Sequence, residues 1–303
     1  MADKTHIEWT EATWNPITGC SIVSPGCTNC YAMRLAGTRM KHHPSRAGLT
    51  MDSKAGPVWN GQVRFNEQWL DEPLRWKRPR MIFVCAHGDL FAEGVPDEWI
   101  DRIFLVMARA RQHTFQVLTK RADRMRDYMN GFRALGANVV KDGLRGADFR
   151  AGNRFYMRER GQQWPLENVW LGVSAEDQTR ARERIELLRD TPAAVRWVSA
   201  EPLLGPIDTK LRGIDWLVAG GESGAGARPM HPQWARDLRD QCERQGVAFF
   251  FKQWGEFASV SEVEGEGPHH RFADGATVRR IGKKRAGRTL DGVEHNAMPG
   301  RAA

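Results

Sequence analysis

A chain of 303 residues with 41% hydrophobic content carries enough apolar material for a sizeable core, as one α/β barrel or two smaller domains. No apolar run is long enough to span a membrane and the N-terminus MADKTHIEWTEA is polar, so a soluble, cytoplasmic protein without signal peptide or membrane partner is expected. The net charge of +8 favours a polyanionic partner, most simply nucleic acid, and five cysteines do not make a disulfide scaffold.

The first notable stretch, residues 13–32, reads TWNPITGCSIVSPGCTNCYA and holds Cys20, Cys27 and Cys30 in a C-x6-C-x2-C spacing. The short segment before Cys20 is a candidate strand. Ser24, Pro25 and Gly26 form a turn signal, Pro fixing one dihedral and Gly permitting an unusual one. Three thiolates on one loop can hold a metal or cluster and leave one coordination position open. Three readings compete: an iron–sulfur cluster, a structural zinc completed by His6, His42, His43 or His87, or thiols without metal. Closed zinc sites usually show two close ligand pairs, and here there is one pair and one outlier.

A short helix over residues 32–40 follows. Residues 41–80 read as irregular and end in the basic run Arg75-Trp76-Lys77-Arg78-Pro79-Arg80, a candidate phosphate contact or a solvated helix end. Then β and α units alternate. MIFVC at 81–85 is a continuous apolar run, as for a parallel strand buried on both faces. A helix over 97–111 follows Pro96, with apolar residues at Ile100, Ile103, Phe104 and Met107. Further strands are predicted over 115–118, 169–173, 195–198, 216–219 and 247–251. Helices are predicted over 122–129, 178–189 and 232–245, the last stopped by Gly246. Residues 130–165 read as an insertion over one barrel face. Residues 258–303 lose the pattern and contain the basic cluster 279–285, RRIGKKR, as an extension that wraps the barrel, contacts a nucleic-acid backbone or stays loose.

Counting the first segment gives about seven strands, with polar residues gathered after their C-terminal ends. This is the pattern of a (β/α) barrel over residues 1–257 with its active site at that rim. A doubly wound open sheet is the alternative, but no Gly-rich phosphate loop follows the first strand. The twelve tryptophans are expected mostly in the core, although tryptophan can also stack on bases.

Cys27-Thr28-Asn29-Cys30-Tyr31-Ala32 resembles the end of the cysteine motif in radical S-adenosylmethionine (SAM) enzymes of the spore photoproduct lyase-like group. The chain to about Gly255 resembles a phage-associated family of three-cysteine proteins placed near that group. The usual spacing is C-x3-C-x2-C, and the first gap is longer here. The resemblance implies a partial, TIM-type (β/α) barrel carrying a [4Fe–4S] cluster on Cys20, Cys27 and Cys30. It also implies SAM as cofactor and an electron donor of flavodoxin or ferredoxin type, and it leaves room for a partner protein. Thr119-Lys120 and Val173-Ser174 look similar to strand-end pairs that serve SAM in those enzymes. Lys120 suits the SAM carboxylate, and Ser174 the carboxylate or ribose. Asp89, Glu176 and Glu201 are acceptors, and Ser199 completes the set; Asp89 and Ser199 are equally candidates for helix caps. The group's Gly-Gly-Glu after strand two is replaced by His87-Gly88-Asp89, while Gly220-Gly221-Glu222 stands on a late strand. Cys85, at the end of strand two, is a candidate catalytic hydrogen-atom donor, the other reading being core packing; Cys242 is expected to be structural. The implied function is a radical SAM enzyme repairing or modifying a pyrimidine in nucleic acid, as in DNA repair. The alternative is a non-catalytic nucleic-acid-binding protein with a structural metal site.

Overall fold

The computed structural model describes residues 5, 7–134 and 164–300, with backbone only at 132–134. In chain order the strands are β1 (Ala12–Trp14), β2 (Ile17–Thr18), β3 (Thr50–Ser53), β4 (Gly56–Trp59), β5 (Arg64–Phe65), β6 (Met81–Val84), β7 (Thr114–Thr119), β8 (Val169–Ser174), β9 (Val195–Ala200), β10 (Trp216–Gly220), β11 (Ala248–Gln253), β12 (Phe257–Ser259), β13 (His269–Arg271), β14 (Thr277–Arg280), β15 (Thr289–Leu290) and β16 (Val293–Glu294). The helices are α1 (Tyr31–Gly37), α2 (Glu72–Arg75), α3 (Asp97–Arg109), α4 (Ala122–Ala134), α5 (Gln178–Arg189), α6 (Pro232–Gln245) and α7 (Lys283–Ala286).

The fold is mixed α/β. Seven strands follow the order β1-β6-β7-β8-β9-β10-β11, and the pairs β1–β6, β6–β7, β9–β10 and β10–β11 run parallel. Seven parallel strands match the sequence expectation. The chain divides into two compact units. The first comprises residues 1–23, 32–172 and 190–194, and the second residues 24–31, 173–189 and 195–303.

In the first unit Ile82 and Val84 of β6 face register partners Phe115 and Val117 of β7. All four are essentially inaccessible, which explains the unbroken apolar run. Helix α3 buries Ile100, Ile103, Phe104 and Met107, one stripe at helical spacing, and places Asp97 and Glu98 in its first turn, where the helix dipole favours negative charge. Residues 41–80, read from the sequence as irregular, contain the hairpin β3–β4, the β2–β5 pair and α2. Helix α4 runs on to Ala134, so the first residues of the predicted insertion are helical; its residues 135–163 lie outside the described part.

In the second unit β10 pairs Trp216 with Trp197, whose rings lie 5.2 Å apart in the core. Helix α6 shows why its ends fall where predicted. His231 Nδ1 caps the N-terminus by accepting from the Gln233 amide (3.0 Å), Pro232 opens the first turn, and Gly246 closes the helix at φ 68°. The C-terminal residues form a three-stranded antiparallel sheet, β12-β14-β13, and the β15–β16 hairpin. They accept the indole N–H of Trp216 at Ala297 O (2.9 Å) and of Trp254 at Thr289 O (2.7 Å), satisfying two donors of fully buried rings.

Candidate functional site at the strand ends

In the first unit the polar residues after β6 and β7 converge on one buried carboxylate. Asp89, 5% exposed, accepts from Thr119 Oγ1 (2.7 Å), Phe91 N (2.9 Å), Lys120 N (3.1 Å) and Arg121 Nη1 (3.1 Å). It ties the two strand ends together, and its oxygens are already taken by the protein. The ammonium of half-buried Lys120 makes no hydrogen bond to a described residue, so β7 presents one uncommitted cation at its C-terminal end.

Arg121 was not singled out by the sequence. It is buried, and its guanidinium spans Asp89, both oxygens of Glu93 (3.1 Å each), Ser21 O (3.1 Å) and Cys20 Sγ (3.2 Å). Burial opposes its charge, but Asp89, Cys20 and Glu93 outweigh that and push its pKa up. Burial also opposes ionisation of Glu93, yet the Arg121 and Ser21 hydrogen bonds hold it down to about 2.

The second unit holds the rest of the cysteine loop. Pro25–Cys27 form a single 3₁₀ turn, with Cys27 N donating to Ser24 O (2.9 Å) and Cys30 N to Cys27 O (3.2 Å). Two buried carboxylates grip it. Glu176, fully inaccessible, accepts from Gly26 N (3.0 Å) and Arg184 Nη1 (3.0 Å). Glu222 accepts from Asn29 Nδ2 (3.0 Å) and from Arg228 Nη2 (2.7 Å) and Nε (2.9 Å), and Arg228 in turn donates to Pro25 O (3.0 Å). Burial raises the Glu222 carboxyl, but Arg228 and Asn29 outweigh it and hold its pKa below the usual range. The reason for Gly26 differs from the one read in the sequence. It is not among the positive-φ glycines, and a Cβ there would lie 3.0 Å from the Glu176 carboxylate. A side chain at this position would crowd the acid, which would have to give by a few tenths of an ångström.

Ser174 and Ser199 are buried at 3% exposure, and their hydroxyls make no hydrogen bond to a described residue. Glu201 is engaged: Lys252 Nζ donates to both its oxygens (2.8 and 2.9 Å) and Gln253 Nε2 to one (3.3 Å). Lys252 and Gln253 are successive residues, and a register shift at Ala219/Gly220 on the neighbouring strand lies beside them.

Cys85 lies one residue past β6, 3% exposed, in the left-handed region at φ 57°. Burial pushes its thiol far up, so it stays protonated. Cys242 is fully buried in α6, its thiol pushed up to about 12 by burial. Of the histidines considered for zinc, His43 Nδ1 meets Ser45 Oγ (2.7 Å), His87 Nδ1 meets Arg46, and His6 lies outside the described residues.

All five cysteines are free thiols. In kind, the donors Cys20, Cys27 and Cys30 suit a thiolate-bound cluster. Among the described residues, however, no three His, Cys, Asp or Glu side chains gather as a metal-holding group. The fit is thus one of donor chemistry and not of assembled geometry. Among the described residues no helix is long and apolar enough to cross a membrane.

A sequence model described as "Protein of unknown function (DUF5131)" matches residues 4–299. No curated protein and no solved structure matches the chain.

Proposed function

The chain belongs to the DUF5131 family, and we propose that it is a radical SAM-type iron–sulfur enzyme of partial (β/α)-barrel fold acting on a pyrimidine in nucleic acid. The observation that carries the reading is the cysteine loop: three cysteines outside any disulfide, with Cys20 against the buried Arg121 cation and the Cys27–Cys30 turn held by the buried acids Glu176 and Glu222. When bound, a [4Fe–4S] cluster with SAM supplies a one-electron reduction that generates a carbon radical. The chain's own residues divide the remaining work. Cys20, Cys27 and Cys30 would hold the cluster. Lys120 brings a cation, unpaired among the described residues, that suits the SAM carboxylate. Ser174 and Ser199 offer hydroxyls that bond to no described residue, suited to ribose or carboxylate. Asp89, Glu176 and Glu201 keep their oxygens on protein donors, so they act by positioning the strand ends and the loop. Cys85 retains its S–H, the form a hydrogen-atom donor needs. The net charge of +8 supports the nucleic-acid partner.

Anaerobic reconstitution tests this. The expected product is a brown protein with about four iron and about four sulfide per chain. It should cleave SAM to 5′-deoxyadenosine when given an electron donor, assayed with and without nucleic acid. Cys27→Ala should lose the iron. A colourless zinc protein, or full iron in Cys27→Ala, overturns the enzyme reading in favour of a non-catalytic nucleic-acid-binding protein.

A further inference from the structure

The basic run at residues 75–80 does not sit at the candidate site. It immediately precedes β6, and the segment before β7 is stitched to it: Gln112 Nε2 donates to Trp76 O (3.2 Å), His113 Nε2 meets Pro73 O (2.9 Å), and Thr114 N donates to Arg80 O (2.9 Å). Both segments therefore lie at the N-terminal ends of parallel strands, whereas Asp89, Thr119 and Lys120 lie at the C-terminal ends. At about 3.3 Å per residue, the length of β7 separates the two ends by about 20 Å.

Here Arg75, Lys77, Arg78 and Arg111 are exposed, and none makes an ion pair or hydrogen bond with a described residue. Four uncommitted cations on two adjoining segments contrast with other arginines of the chain, such as Arg121, Arg184, Arg228 and Arg236, which are matched to carboxylates. The tryptophan within the run is already used. Trp76 carries the Arg80 guanidinium over its ring at 5.0 Å and meets His113 edge-on at 6.0 Å. An indole occupied this way is not a stacking platform for a base, so the surface offers charge and no base readout.

We propose that Arg75, Lys77, Arg78 and Arg111 form a second nucleic-acid surface that grips duplex phosphates without sequence preference, at the end of the strands opposite the candidate site. This rests on the nucleic-acid part of the proposed function and is independent of the cluster. It anchors the polymer by counterion release, which makes binding steeply salt-dependent.

The test is fluorescence anisotropy of 30-base-pair DNA duplexes of two unrelated sequences, titrated with full-length protein between 50 and 200 mM salt. The variant carries Arg75→Gln, Lys77→Gln, Arg78→Gln and Arg111→Gln, all exposed side chains without an ion pair or hydrogen bond to a described residue. Expected is a fall in affinity of at least about 100-fold at 100 mM salt, equal for both sequences. The slope of log K against log salt should flatten by about 0.9 for each phosphate that the variant no longer neutralises. A variant that binds like the wild type with an unchanged slope overturns the surface assignment and leaves the nucleic-acid reading standing. Loss of binding in Lys283→Gln/Lys284→Gln/Arg285→Gln but not in the quadruple variant does the same. A wild-type protein that fails to bind either duplex overturns both.

Discussion

Replacing Glu176 by Gln is the sharpest probe of how the cysteine loop is held. The change keeps the side-chain shape and an oxygen for the Gly26 amide but removes the charge facing Arg184. Glu176 is fully inaccessible, and the Arg184 side chain is 7% exposed, 3.0 Å away. Removing one partner of such a pair leaves a buried charge uncompensated, at a cost of about 3 kcal/mol. With a urea slope of about 2 kcal/mol/M, the unfolding midpoint should shift down by about 1.5 M. The companion is Glu176→Gln/Arg184→Met, which also removes the charge left behind while keeping an oxygen for the Gly26 amide, and should recover most of that loss. Urea denaturation followed by circular dichroism reads both. A Glu176→Gln midpoint within about 0.3 M of wild type, or a double variant no more stable than the single one, would refute the idea that this ion pair fixes the loop.

Three further outcomes follow from the same structure. Burial first and Arg46 second lower the pKa of His87 from 6.5 to about 4, so it is neutral in the folded chain at pH values where the unfolded chain is protonated. Its contribution is complete above about pH 6.5 and is lost as pH falls towards 4, reaching about 3 kcal/mol; His87→Gln should lose less stability across that window, and an identical acid profile would contradict the assignment. Gly246→Ala should cost about 1 kcal/mol in a thermal melt, because φ is 68° and open space surrounds the missing Cβ, so only backbone strain opposes the change. Cys85 and Cys242 should resist iodoacetamide at pH 8 in the folded protein and react once it is unfolded, whereas Cys20 should be alkylated in the native state; peptide mapping by mass spectrometry distinguishes them.

The parallel strands were readable because a strand buried on both faces leaves a continuous apolar run, as in β6 and β10. Helices α3 and α6 were readable because their apolar stripes and end residues obey local rules that need no tertiary information. Strands β3 to β5 and the β12-β14-β13 sheet escaped notice. They are two to four residues long, and β3 and β13 are largely exposed, so no period-two pattern accumulates. Among the candidate site residues, the side chains of Lys120, Ser174 and Ser199 make no hydrogen bond to a described residue. Asp89, Glu176 and Glu201 are absorbed into ties that sequence position alone does not reveal.

The amino-acid order by itself determined the βα alternation, the ends of α6, the triplet of thiols and the basic balance, since each is a matter of neighbouring residues and their types. Only the tertiary structure decided that Arg121 reaches Cys20 across 101 positions, that Gly26 is small to admit Glu176 across 150, and that the run at 75–80 stands at the far end of its strands from the candidate site. Those are encounters between distant segments, set by strand register and by where a buried charge finds its counter-charge. Neither is written in the local pattern of the chain.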